Sequence, residues 1–318
     1  MTALIFHGGH YKTGTTSLQH ALRAGEGLLA GAGILYPRGL PDAQFSDVQH
    51  ADLVTDCFAG KWDRVERYLD RVAAEAKHRN CGTVLLSSEL ATSFHRFPDA
   101  FRRWLEIAAR HFETPRYVFV VRDAPGYARS MYRELVKSGR ASFHYDLVRD
   151  EIARLLLEQQ SSIAFFRGWE EGRTTFLSYQ ELAASGLVET LVKRMVGYEV
   201  DPALVRLLNT SEKKAQNIAA LLLNDVYALV GAARGLDPLA NEVQAAVKEK
   251  VKRGRLKRAF DEAFAAEIEQ AFLDVTDAHV RRAFDERSSA VEASLAAMPP
   301  EIAAWLRGAP AEARAIPA

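Results

Sequence analysis

The sequence predicts an α/β protein built on a central parallel β-sheet, followed by a helical section. Short apolar runs typical of buried strands alternate with longer segments whose apolar residues recur at helical spacing. This alternation is typical of βαβ units, in which helices cover a parallel sheet. Beyond residue 200 the strand signal almost disappears. We therefore predict a core over residues 1–200 and a helical section over residues 201–318, packed on the core as part of one domain.

The predicted elements alternate along the whole core. Strands are expected at residues 3–6, 83–89, 116–123 and 174–179. Helices are expected at residues 15–29, 63–79, 100–111 and 146–159, and in the C-terminal section at 212–230, 241–251 and 263–284. Residues 309–318, rich in alanine and proline, are expected to form a loose tail.

Composition excludes several classes of protein. The chain has 318 residues, 48% of them hydrophobic, so it can bury a sizeable core. The 41 basic residues balance 41 acidic ones, so the chain has no net positive charge that would attract nucleic acid or an anionic membrane. Two cysteines, Cys57 and Cys81, indicate reduced thiols. Without an apolar run of about 18 residues or a secretory signal, we expect a soluble, cytoplasmic protein.

A glycine- and threonine-rich segment, HGGHYKTGTTSLQHAL at residues 7–22, joins the first predicted strand to the first helix. A strand that turns into a helix presents unpaired backbone N–H groups and the positive end of the helix dipole. Glycines let the chain approach a ligand closely, and the Lys12 ammonium adds a full charge. The pattern predicts a phosphate-binding loop, with an ordinary glycine-rich turn as the alternative.

The loop differs from that of nucleoside triphosphatases. The pattern G-x-x-x-x-G-K-[ST] is absent, because the lysine precedes the glycine in KTGTT. Asp123 follows a predicted strand, but Arg122 stands beside it, which is a poor setting for a metal ligand. We therefore expect a phosphate loop that works without a metal.

Two motifs together resemble those of a known family. YKTGTTSLQ is similar to the 5′-phosphosulfate loop of sulfotransferases that use 3′-phosphoadenosine 5′-phosphosulfate (PAPS). VVRDAPGYARSMY supplies Arg122 at a strand end and Ser130 eight positions later, the spacing of the family's second motif. LLSSEL, TFLSYQEL and NTSEKKA resemble parts of bacterial-type members. The resemblance extends over residues 3–215.

The resemblance implies a P-loop NTPase-like, three-layer α/β/α fold and a role for each matching residue. Arg122 and Ser130 would hold the 3′-phosphate, for which a guanidinium provides a planar fork of donors. The 5′-phosphosulfate would be surrounded by Lys12, Thr13, Gly14, Thr15, Thr16 and Ser17.

The implied reaction is in-line transfer of a sulfuryl group to an acceptor hydroxyl, with Lys12 stabilising the departing oxygen and no metal required. The hydroxyl also needs a base. His50 and Glu89 are both candidates, and the sequence does not choose between them. Three further histidines lie near the loop without an assigned role: His7, His10 and His20.

Analogy with soluble bacterial-type members suggests a carbohydrate or glycolipid acceptor. Two other functions remain open: a kinase-like phosphotransferase, and a nucleotide-binding protein without catalytic activity. The basic run at residues 248–258 allows three interpretations. It could be a lid that adds Lys252, Arg253 or Arg255 to the 3′-phosphate, a patch for an anionic acceptor, or a solvated helix face.

Overall fold

The computed structural model describes residues 2–40, 48–113, 115–124, 126–127, 130–131, 146–169, 173–205, 295–296 and 298–307. Contacts divide the chain into two compact units, one of residues 1–123, 159–208 and 298–318, the other of residues 124–158 and 209–297. The predicted C-terminal helices, the basic run 248–258 and the tail 309–318 lie outside the described residues. The division at residue 200 stays a prediction.

A five-stranded parallel sheet forms the centre of the first unit, in the order β2-β3-β1-β4-β5. The predicted α/β fold with a central parallel sheet is thereby confirmed. Neighbouring strands run in matched register, with His7 of β1 opposite Ser87 of β3 and Val118 of β4. The strands are β1 (Ala3–Gly9), β2 (Ile34–Leu35), β3 (Thr83–Ser87), β4 (Arg116–Val121) and β5 (Thr174–Ser178).

The helices predicted over residues 63–79, 100–111 and 146–159 have counterparts in the structure, which also contains helices at Ala51–Phe58, Tyr179–Ala184, Leu187–Val196 and Pro300–Arg307 that the sequence analysis did not predict. The helix expected over residues 15–29 is two helices, α1 (Thr15–Ala24) and α2 (Glu26–Gly31), because the backbone leaves the helical conformation at Gly25, with φ −94° and ψ 10°. Two 3₁₀ helices span Glu89–Arg96 and Pro202–Leu204. The α-helices are α1 (Thr15–Ala24), α2 (Glu26–Gly31), α3 (Ala51–Phe58), α4 (Trp62–His78), α5 (Pro98–Ala108), α6 (Asp146–Gly168), α7 (Tyr179–Ala184), α8 (Leu187–Val196) and α9 (Pro300–Arg307).

Alternating strand residues bury the two faces of the sheet against different helices. Ile5 of β1 belongs to a buried cluster with Leu18 of α1 and Val192 of α8. Phe6 points to the opposite face, where its ring lies 5.5 Å from that of Trp104 in α5. Both faces of the sheet are therefore covered by helices, which gives three layers, α/β/α.

Two further expectations concern cysteines and membranes. Cys57 and Cys81 are free and buried, as predicted for reduced thiols. Across the part of the chain that the structure describes, no helix combines the length and apolar character needed to cross a membrane.

Candidate functional site

The loop between β1 and α1 is shaped by two residues in the left-handed region. Lys12 has φ 66° and Gly14 has φ 82°. Gly14 is the N-cap of α1, no side chain caps this helix, and its first turn contains no acidic residue. The first-turn N–H groups and the positive end of the helix dipole therefore face the loop without a competing carboxylate. This is the backbone arrangement that binds anions at helix N-termini.

Buried threonine hydroxyls stabilise the loop through contacts with its own residues. The Thr13 side chain is fully buried, and its hydroxyl donates to the His10 carbonyl over 2.6 Å. Thr13 Oγ1 and Thr15 Oγ1 lie 3.4 Å apart. Ser17 is also buried in the first turn of α1, whereas Thr16 is half-buried. The loop thus has a defined conformation before any ligand binds.

Arg122 meets this loop from the end of β4. Its Nη1 donates to the Lys12 carbonyl over 2.5 Å, across 110 positions of sequence. The guanidinium carbon lies 4.4 Å from the centre of the Tyr179 ring, and the Gln159 amide donates to the Arg122 carbonyl over 3.0 Å. Arg122 of the second motif therefore lies against the loop of the first motif at one edge of the sheet.

The other residues of the second motif are placed differently. Ser130 is helical and belongs to the second compact unit, so its predicted contact with the 3′-phosphate stays a prediction. The Asp123 carboxylate accepts a hydrogen bond from the Gln180 amide. Among the described residues, no three His, Cys, Asp or Glu side chains are grouped so that they could hold a metal ion.

His50 is enclosed between two backbone segments. Its Nδ1 accepts from the Ser87 N–H over 3.1 Å, and its Nε2 lies 3.1 Å from the Pro37 carbonyl oxygen. Since a carbonyl can only accept, the His50 proton sits on Nε2 and donates to Pro37. Both ring nitrogens are therefore engaged, which is a poor arrangement for a base that must take a proton from an acceptor.

Burial keeps the histidines around the loop neutral. Loss of solvation lowers the pKa of His7 to about 3 and that of His50 to about 4. The pKa of His10 also falls to about 3, first because of burial and then because of the nearby charges of His95 and Arg96. None of these imidazoles carries a charge at neutral pH.

Glu89 occupies a more suitable position for proton transfer. It is half-buried and opens the 3₁₀ helix that follows β3, the strand beside β1. The Ser88 hydroxyl caps this helix by accepting from the Leu90 N–H over 3.2 Å. Because carboxyl ends of parallel strands share one edge, Glu89 lies on the same edge of the sheet as the loop.

Sequence reasoning missed several residues that support the loop. Gln19 and Ser87 form hydrogen bonds beneath it, while Gln159 and Tyr179 hold Arg122. A signal did exist for one of them. Ser87 is a polar residue at the carboxyl end of an otherwise apolar strand, where parallel sheets place their sites.

Comparison with known proteins gives only distant likenesses. No protein-family model and no curated protein sequence matches the chain. Among solved structures, the sulfotransferase domain from the curacin biosynthetic pathway shares 13% identity, with 64% of this chain and 77% of that chain covered and a TM-score of 0.38. The sulfotransferase domain from the Synechococcus PCC 7002 olefin synthase shares 14% identity, covering 82% and 95% at a TM-score of 0.39. Likeness at this level is not an indication of shared activity.

Gly14→Ala tests whether the loop needs its left-handed residue. A Cβ at Gly14 would collide with the Leu187 side chain, and φ 82° is unfavourable for alanine. We expect the free energy of unfolding, measured in urea, to fall by about 1–3 kcal/mol. Gly27→Ala is the matched control, since a Cβ there meets nothing within 4 Å. It should leave stability unchanged or raise it by up to about 1 kcal/mol. Equal effects of the two changes would contradict this account.

The neutral histidines predict a loss of stability in mild acid. Their pKa is 6.5 in the unfolded chain but about 3 to 4 when folded, so between these values only the unfolded chain binds protons. Stability should therefore fall as the pH drops from 7, by about 2 kcal/mol per histidine at pH 5. Urea unfolding at both pH values measures this. His50→Gln removes one titrating group and should make the pH dependence shallower. An unchanged midpoint between pH 7 and 5 would refute the prediction.

Proposed function

We propose that the protein is a sulfotransferase that moves a sulfuryl group from PAPS to the hydroxyl of an acceptor. The observation that carries this proposal is the hydrogen bond from Arg122 Nη1 to the Lys12 carbonyl, at 2.5 Å. It supports the proposal because it places Arg122, which is suited to a phosphate, against the loop that is suited to a phosphosulfate.

The donor would be held by complementary charges at its two ends. The 5′-phosphosulfate would lie on the N-terminal turn of α1, with donors from the Thr13–Ser17 segment and the charge of Lys12. The 3′-phosphate would bind Arg122 and Ser130. A guanidinium carries five N–H donors, so the bond to the Lys12 carbonyl fixes its position without using all its capacity for phosphate oxygens.

In the proposed reaction, the acceptor oxygen attacks sulfur in line with the bond that breaks. The bond between sulfur and the bridging phosphate oxygen opens, which yields a sulfate ester and adenosine 3′,5′-bisphosphate. Negative charge grows on the departing oxygen, where the Lys12 ammonium would stabilise it. The proton of the acceptor hydroxyl passes to a base. No metal is needed in this scheme, because Lys12 and the helix dipole supply the positive charge.

Of the two candidate bases, we propose Glu89. Its support is a half-buried position on the sheet edge that carries the loop. His50 has both ring nitrogens in hydrogen bonds to backbone groups and a pKa lowered to about 4 by burial. We propose that His50 instead joins β3 to the segment at Pro37.

The acceptor class is proposed by analogy alone. Soluble sulfotransferases of the bacterial type suggest a carbohydrate or glycolipid hydroxyl and a cytoplasmic location, and no residue of this chain decides either point. The predicted core of residues 1–200 would contain the donor site. For residues 248–258, the three interpretations given above stay open.

Lys12→Ala and Arg122→Ala test the two ends of the donor site. Lys12→Ala should lower kcat by about 10²–10³-fold, because stabilisation of the leaving oxygen is lost. Arg122→Ala should mainly weaken binding of adenosine 3′,5′-bisphosphate, by about 10–100-fold for a charge-assisted hydrogen bond. Calorimetry and transfer of labelled sulfate from PAPS measure the two effects.

Lys77→Ala, an exposed residue of α4, is the charge-matched control and should change neither value. Full transfer by Lys12→Ala would overturn its assigned role. Turnover only with ATP and magnesium would favour a phosphotransferase, and nucleotide binding without any turnover would favour a non-catalytic binder.

The choice of base is tested by Glu89→Gln against His50→Gln. Glu89→Gln keeps the shape but removes the proton acceptor, so kcat should fall by about 10²–10⁴-fold. His50→Gln should change stability more than kcat. The pH dependence of kcat/KM, recorded for both variants, distinguishes them: loss of the acidic limb only in Glu89→Gln supports the assignment, and its loss only in His50→Gln reverses it.

A further inference from the structure

A buried histidine lies directly beneath the candidate anion loop and takes no part in the scheme above. His7 occupies the carboxyl end of β1 and is fully buried. Its Nδ1 lies 3.0 Å from the Ser87 hydroxyl of the neighbouring strand. Its Nε2 has no hydrogen-bond partner among the residues that the structure describes. A buried ring nitrogen without a partner is costly and indicates a further role.

Hydrogen bonds around Ser87 determine which nitrogen of His7 carries the proton. The Gln19 side-chain nitrogen donates to the Ser87 carbonyl over 3.4 Å, which identifies it as the NH₂ end, and to Ser87 Oγ over 3.2 Å. The Ser87 hydroxyl thus accepts from Gln19, and His7 Nδ1 is the acceptor within reach of its hydrogen. The proton of the neutral His7 imidazole is then on Nε2.

This Nε2–H group points into the interior of the loop. A Cβ built at Gly9 would lie 3.6 Å from His7 Nε2, 3.2 Å from Thr15 Oγ1 and 2.6 Å from Thr13 Oγ1. Three polar atoms therefore surround the space that glycine leaves at this position. Any larger residue at Gly9 would separate them, which explains why the strand ends in glycine there.

The two threonine hydroxyls are not equivalent in this arrangement. Thr13 already donates its hydrogen to the His10 carbonyl over 2.6 Å. Thr15 stands at the first position of α1, and in the described part of the loop its hydroxyl makes a long contact, 3.4 Å, with Thr13 Oγ1. A donor that reaches Thr15 Oγ1 would leave the hydroxyl hydrogen free to turn toward an anion on the helix N-terminus.

We propose that His7 is a positioning residue of the anion loop: when an anion binds, the Nε2–H group of His7 comes to donate to the Thr15 hydroxyl, which in turn donates its hydrogen to that anion. Ser87 and Gln19 hold the imidazole in the required tautomer. Burial lowers the pKa of His7 to about 3, so the donor is the neutral ring and adds no charge to the site. This inference rests on the proposed function only for the identity of the anion.

Nitrogen-15 NMR of the full-length protein, labelled at histidine, tests the tautomer without any ligand. His7 should show a protonated Nε2 and an unprotonated Nδ1 at pH 7. Ser87→Ala removes the hydroxyl that donates to Nδ1 and should shift the ring toward a mixture of tautomers. A wild-type His7 protonated on Nδ1 would overturn the inference.

Binding of adenosine 3′,5′-bisphosphate and of inorganic sulfate, measured by calorimetry, tests the effect on the loop. His7→Leu should weaken both by about 3–10-fold, as expected for one neutral hydrogen bond. His7→Gln, whose amide can donate from a position near that of Nε2, should restore most of the affinity. His78→Leu, at the exposed end of α4, is the control and should bind as the wild type does. Should His7→Leu not fold, Ser87→Ala provides the same comparison.

The outcomes separate this inference from the proposed function. If the wild type binds sulfate in a His7-dependent way but transfers no sulfuryl group from PAPS, the proposed function fails and the role of His7 stands. If transfer occurs and His7→Leu binds both anions as tightly as the wild type, the role of His7 fails and the function stands. A wild type that binds neither anion overturns both.

Discussion

The hydrogen bond from the Arg122 guanidinium to the Lys12 carbonyl ties the end of β4 to the loop after β1. Everything proposed for the donor depends on this contact, because a phosphosulfate nucleotide carries negative charge at two separated points. A parallel sheet makes the contact possible, since the carboxyl ends of β1 and β4 lie side by side at one edge. Tyr179, which begins the helix after β5, holds the guanidinium from a third strand end.

The side chains that lie beneath the loop are polar although they are buried, and burying polar groups costs free energy of folding. His7, Ser87, Gln19 and His50 occupy space that apolar residues could fill more favourably. They are linked through Ser87, whose hydroxyl contacts His7 and Gln19 and whose backbone contacts His50. Such a network fixes the position of each member, and a loop that must hold an anion in line with an acceptor benefits from a rigid floor.

The positive potential of the site is local. The whole chain is neutral, with equal numbers of basic and acidic residues at 41 each, so long-range attraction of an anionic nucleotide is small. Charge at the loop comes from Lys12, Arg122 and the N-terminus of α1, whose first turn lacks acidic residues. In the proposed donor site, short-range hydrogen bonds from oriented backbone N–H groups would therefore provide the selectivity for the anion.

The resemblance of two motifs to a known family paired an early lysine with a later arginine. Sequence patterns alone predicted the parallel α/β core and the position of the loop. These depend on local chemistry: apolar runs predict buried strands, and a glycine-rich turn before a helix presents N–H groups. Tertiary structure decided what the histidines do. His50 binds the Ser87 N–H and the Pro37 carbonyl, and His7 faces Thr13 and Thr15 around Gly9. Residues far apart in the chain become neighbours only when the strands align. No local sequence pattern therefore indicates which ring nitrogen of a histidine lacks a hydrogen-bond partner.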